Sequence, residues 1–127
     1  MACRTTGRLE ESVLITDRDI DFHTADKAVH DWAETNYFAF FNAERRICGH
    51  LQALFRPNLG VVKTDVRIWR ELVDRTSDTL YIANHHHQPS APSLRSYSLY
   101  SGLSVTAHSP RDYRVDYVGT DDTEIHF

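Results

Sequence analysis

Cysteine and long apolar segments are scarce in this 127-residue chain. The two cysteines, Cys3 and Cys48, form no C-x-x-C pair, so the spacing typical of a zinc or redox site is missing. We expect free thiols in a reducing cytoplasm, with one intramolecular disulfide as the alternative. The longest purely apolar segment, Tyr37–Phe41, is five residues long. Because roughly 20 are needed to cross a bilayer, we expect no membrane span.

Clusters of positive charge are also missing. The chain has 14 Lys+Arg against 18 Asp+Glu, which gives a formal net charge of −4. The chain therefore lacks the basic clusters that bind nucleic-acid phosphates, and we exclude a nucleic-acid partner. Glu10 and Glu11 stand where a signal peptide would need apolar residues, which favours a cytoplasmic location. The composition, 41% hydrophobic and 25% charged, is typical of a folded chain with one domain.

Apolar residues alternate with polar ones on both sides of the turn-forming segment Arg56–Gly60. This period of two predicts a long antiparallel hairpin over residues 47–70, with one face in the core. The residues predicted to face the core are Ile47, Gly49, Leu51, Ala53 and Phe55 on the first strand and Val62, Thr64, Val66 and Ile68 on the second.

Shorter alternating segments follow, separated by turn residues. We predict strands at Leu80–Ala83, Leu103–Ala107, Tyr113–Val118 and Thr123–Phe127, and a loop over residues 88–94. This arrangement favours an all-β fold, an antiparallel open barrel or sandwich.

The N-terminal residues show a different pattern. We interpret residues 1–24 as a loose arm whose short apolar stretch Val13–Ile15 could lie against the body as a strand, and residues 25–127 as a single β-domain. Helical spacing after Thr24 predicts one short helix over residues 25–34, with an irregular lead-in as the alternative.

Three consecutive histidines are the first candidate for chemistry. His85 and His87, two apart on a strand, would point to one face and could bind a metal together with His50 or His108. A solvated loop before Gln88 is the favoured interpretation, because no further ligand stands at a diagnostic spacing. We therefore predict no metal or other cofactor, and keep a metal-dependent β-barrel enzyme as an alternative.

Aromatic and acidic residues concentrate between Trp32 and Phe41. Such a cluster usually forms core, but it could also line an apolar ligand cavity. A carboxylic acid kept neutral there could protonate an unactivated substrate, while indole rings stabilise the developing positive charge. The candidate catalytic residues are Glu34 and Asp65, and the candidate substrate-binding residues are Trp32, Tyr37, His50 and Trp69.

The segment Trp32–Arg46, followed by Gly49 and by Phe55–Gly60, resembles the start of the double lipocalin-like β-barrel proteins, which include the carotenoid 1,2-hydratase (hydroxyneurosporene synthase) and AttH-like proteins. The shared pattern is an aromatic/Glu segment, an Asn-x-Glu-Arg-Arg turn and an Arg-Pro-Asn-x-Gly turn. It covers residues 32–60, where Arg56 and Asn58 are taken as structural turn residues.

The resemblance implies a lipocalin-like barrel that binds an apolar small molecule, such as an isoprenoid or polyketide, with hydratase-type acid catalysis as an extension. It also implies that a second barrel follows, so we expect this chain to be an incomplete first barrel. The edge of its last predicted strand, Thr123–Phe127, would then pair with a second barrel or with another copy of the chain. A non-catalytic β-domain that pairs with a partner chain is the remaining alternative.

Overall fold

The structure, a computed structural model, describes residues 14–71 and 74–127. Within these residues the strands form two antiparallel four-stranded sheets, sheet A in the order β1-β2-β3-β4 and sheet B in the order β5-β6-β7-β8. The strands are β1 (Glu34–Asn42), β2 (Ile47–Arg56), β3 (Val61–Trp69), β4 (Tyr81–Pro89), β5 (Ser96–Ser98), β6 (Leu103–Ser109), β7 (Asp112–Val118) and β8 (Glu124–His126). Three 3-10 turns lie at Asp17–Ile20, Pro57–Leu59 and Thr76–Asp78.

The long hairpin predicted over residues 47–70 is confirmed by β2 and β3. The alternating apolar positions face the core, as the period of two requires. Gly60 ends the intervening 3-10 turn with φ of +67°, and its N–H donates to the Pro57 carbonyl at 3.2 Å. Glycine adopts this left-handed conformation without a steric penalty, which explains its place in the turn.

The inward faces of the two sheets pack against each other and form the core. Aromatic contacts connect β1 and β2 to sheet B, with ring centroids 5.3 Å apart for Phe55–Tyr97 and 5.6 Å apart for Phe38–Tyr113. The buried core residues are Leu51, Ala53, Phe55, Val62, Val66, Ile68, Leu94, Tyr97, Leu99, Leu103, Val105, Val115, Tyr117 and Ile125. These side chains occupy the space between the sheets.

The fourth strand is longer than predicted. It runs from Tyr81 to Pro89 instead of Leu80–Ala83, so the loop predicted from residue 88 begins too early. Gln88 is buried, donates to Thr64 Oγ1 at 3.0 Å, and accepts from the backbone N–H of Ser101 at 2.7 Å. A polar residue whose hydrogen bonds are satisfied inside the core is not visible in a hydrophobicity pattern.

The predicted helix over residues 25–34 is wrong, and the irregular lead-in is what forms. The apolar positions Ala28 and Val29 are exposed, so a helix there would bury no face and would lack the packing on which short helices depend. The Asn58 side chain instead donates to the backbone carbonyls of Asp26 and Val29 at 2.7 and 2.8 Å. This pair of hydrogen bonds fastens the lead-in to the β2–β3 turn.

The described end of the N-terminal arm packs against the body. Ile20 is buried, Phe22 stacks edge-on against Phe55 with 5.4 Å between centroids, and the Asp21 carboxylate accepts from the Leu94 N–H at 2.9 Å. The strand predicted at Val13–Ile15 does not form at Leu14 and Ile15, which are exposed and unpaired, and Val13 lies outside the described residues.

The predicted all-β class is confirmed: in the described ranges the sheets form an open sandwich and not a closed barrel. No helix in this part of the chain is long and apolar enough to cross a membrane. Cys48 is an exposed free thiol, and Cys3 lies outside the described residues. The last strand pairs with β7 alone among the described residues, and its pairing with another chain stays a prediction.

Candidate functional site

Four of the six predicted site residues lie together on the outer face of sheet A, the face turned away from sheet B. The strand register places Tyr37 opposite Gln52 and Gln52 opposite Asp65. His50 lies one row further along β2, and Trp69 lies opposite Cys48 in the row after that. Alternation along each strand, which places the core residues on the inner face, therefore places these side chains on the outer one.

Three aromatic rings form a row on this face, which we call the ring row: Tyr37, His50 and Trp69. The His50 centroid lies 5.1 Å from that of Tyr37 and 5.1 Å from that of Trp69, with interplanar angles of 41° and 59°. These distances fall within the range of attractive contacts between aromatic rings. Tyr37 is 57% exposed, so the row presents aromatic surface to the outside.

An ion pair lies beside the ring row. Arg67 Nε donates to Asp65 Oδ1 and Arg67 Nη2 donates to Asp65 Oδ2, both at 2.9 Å. Asp65 is only 7% exposed, although its strand position turns it away from the core. Both carboxylate oxygens therefore accept hydrogen bonds in a two-pronged geometry, which is among the stronger polar contacts in proteins.

His50 is the polar group that this cluster leaves without a partner. Its Nε2 atom is buried and has no hydrogen-bond partner within residues 14–71 and 74–127, and it lies 3.7 Å from Asp65 Oδ1, beyond hydrogen-bonding distance. Burial lowers the pKa of the His50 imidazole, against the opposing attraction of the Asp65 carboxylate. Among the described residues, the cluster therefore leaves one buried ring nitrogen without a hydrogen bond, which has a free-energy cost.

Glu34 and Trp32 do not join this cluster. Glu34 lies opposite Phe55 on the inner side of β1, with a side chain that is 10% exposed. Its carboxylate accepts from the His23 backbone N–H at 3.0 and 3.2 Å and from Trp32 Nε1 at 3.3 Å. A contact of 3.0 Å to His23 Nδ1 raises the pKa of that imidazole. Glu34 thus holds the lead-in against β1, and its proton-donor role stays a prediction.

The histidine triplet does not present a shared metal-binding face, so that part of the metal alternative is wrong. His85 lies opposite Thr64 and points inward, whereas the register shifts between Val62 and Thr64 and places His87 on the outer side. An extra residue in a strand breaks the alternation on which the expectation depended. Within the described ranges there is no group of three or more His, Cys, Asp or Glu side chains that could hold a metal ion.

Sequence reasoning missed Arg67 and the β-bulge. Arg67 stands two residues after Asp65, so strand alternation puts both on one face, and this spacing could have identified the pair. The bulge has no comparable signal, because it depends on how β3 and β4 align. A shallow hollow of about 40 Å³ adjoins the pair and is lined by Gln52, Leu54, Lys63 and Asp65.

Comparisons with protein-family models, curated proteins and solved structures gave no match. The resemblance to double lipocalin-like β-barrel proteins therefore stays a prediction, and the case for a function depends on the outer face of sheet A.

Proposed function

We propose that the protein binds a small molecule with a flat apolar portion on the outer face of sheet A. The observation that carries the proposal is the ring row, in which Tyr37, His50 and Trp69 lie in consecutive contact beside a partly buried ion pair. Exposed aromatic surface favours a partner with an apolar face, which can stack on the rings.

The proposed ligand site lies on the open outer face of sheet A, and not in a cavity inside a barrel as the resemblance implies. The space between the sheets holds buried side chains such as Leu51, Phe55 and Tyr117, each 0–1% exposed. The isoprenoid or polyketide class comes from the resemblance alone, and both have the apolar skeleton that the ring row would take. Binding is better supported than hydratase-type catalysis, because both carboxylate oxygens of Asp65 already accept hydrogen bonds from Arg67.

Titration with N-phenyl-1-naphthylamine, a neutral apolar dye that fluoresces on leaving water, tests this proposal. Trp69→Ala is expected to raise the Kd of the dye by about five- to tenfold, because it removes the largest ring of the row. The matched control is Tyr100→Ala, which removes an aromatic ring that is 94% exposed in the β5–β6 loop.

Tyr100→Ala is expected to leave the Kd unchanged. Tyr37→Ala provides a second variant, at an edge strand where truncation affects the core least, and is expected to weaken binding in the same direction. If the wild type and the three variants all bind the dye saturably with the same Kd, the dye binds outside the ring row and the proposal is wrong.

A further inference from the structure

A second feature of the outer face lies where β4 bulges against β3. Val62 is opposite Gln88 and Thr64 is opposite His85, so Lys63 alone faces the two residues His86 and His87. His87 adopts φ of +56°, a left-handed conformation that is uncommon outside glycine. Such strained positions and bulges recur next to functional sites.

The bulge forms one wall of a groove of about 350 Å³ at the β2–β3 turn, which we call the bulge groove. Its polar lining is basic: Arg56, Lys63, His86 and His87. Its apolar lining includes Leu54 and Leu59. Among the described residues that line it, none carries a carboxylate.

The two cations of the bulge groove have no counter-charge in the described part of the chain. Neither Arg56 nor Lys63 forms an ion pair there. Asp65, which lies two residues after Lys63 on the same face of β3, is already bound by Arg67. Two cations and two imidazole rings around an aliphatic floor form a site for an anionic group that is attached to an apolar body.

The bulge groove lies on the same face as the proposed ligand site. Leu54 and Lys63 line both the groove and the hollow beside Asp65. Gln52, which also lines the hollow, lies opposite Tyr37 of the ring row. We infer that the ligand is an amphipathic anion, a carboxylate, sulfonate or phosphate with an apolar body, whose charged end binds in the bulge groove while its body extends towards the ring row. This inference rests on the proposed function and narrows it to one ligand class.

A matched pair of dyes separates the two claims. 1-Anilinonaphthalene-8-sulfonate has the skeleton of N-phenyl-1-naphthylamine with one added sulfonate. We expect the wild-type protein to bind the sulfonate about tenfold more tightly than the neutral dye, as charge-assisted hydrogen bonds would produce. In the double variant Arg56→Gln/Lys63→Gln we expect this preference to disappear while the Kd of the neutral dye changes less than about twofold.

The control variant, Arg45→Gln/Arg111→Gln, removes the same charge from turns outside the groove and is expected to keep the preference. Equal Kd values for the two dyes in the wild type, or a preference that survives Arg56→Gln/Lys63→Gln, would overturn the inference and leave the proposed function intact. Binding of neither dye would overturn both. If the control variant also loses the preference, overall charge explains the preference, and the inference that the charged end binds in the bulge groove is overturned.

Discussion

Gly102→Ala is expected to remove a large part of the stability of the fold. Gly102 has φ of +92°, and a Cβ atom added there would lie 1.9 Å from the Val118 carbonyl oxygen. The backbone cannot retreat freely, because the Val118 N–H donates to the Gly102 carbonyl at 3.1 Å. We expect the free energy of unfolding to fall by about 3–5 kcal/mol, a large part of the total for a domain of this size.

Urea denaturation followed by circular dichroism measures this loss, and Gly60→Ala is the matched control. Gly60 also has a positive φ, +67°, but an added Cβ would meet nothing within 4 Å. Its substitution therefore carries only the left-handed penalty, about 1–2 kcal/mol. Equal losses at the two positions would show that β6 and β7 do not approach each other as closely as the structure has them.

Asp65→Ala is expected to lower the free energy of unfolding by about 2–3 kcal/mol, because it leaves the Arg67 guanidinium without its partner. The side chains of Asp65 and Arg67 are 10% and 30% exposed. The expected loss is therefore smaller than for a fully buried pair, but larger than for an ion pair on the surface.

The double variant Asp65→Leu/Arg67→Met tests whether the loss comes from the stranded charge. It is expected to recover most of the stability, since replacing both partners by apolar groups leaves no unpaired charge. Asp116→Ala is the control: Asp116 also pairs with an arginine, Arg114, but on exposed surface of sheet B, and a much smaller change is expected. A loss in Asp65→Leu/Arg67→Met as large as in Asp65→Ala would contradict this account of the cluster.

The alternating pattern was sufficient to predict the framework. Each of Leu51, Phe55, Val62 and Val66 lies in the core as the period of two requires. The pattern failed where long-range contacts decide the structure. Asn58 holds the lead-in in a non-helical form through bonds across 29 and 32 residues, and no local propensity encodes such contacts.

The candidate site divides in the same way. Strand alternation was enough to place His50, Asp65 and Trp69 on one face, but the burial of Asp65 on that face depends on Arg67 and on neighbouring strands. Glu34 follows the alternation too and lies on the inner face, where the lead-in covers it. Sequence proximity had grouped Glu34 and Trp32 with Tyr37, whereas a strand turns successive side chains to opposite sides.

The most direct test of binding at the outer face of sheet A uses the two tryptophans. In a ¹⁵N–¹H spectrum each indole N–H gives its own signal, and the chain has two tryptophans, Trp32 beside Glu34 and Trp69 in the ring row. Titration with N-phenyl-1-naphthylamine is expected to shift the Trp69 indole signal, with the backbone amides of His50 and Asp65, and to leave the Trp32 indole signal in place. A shift of the Trp32 signal with no change at Trp69, or dye binding that moves neither, would contradict the proposed site.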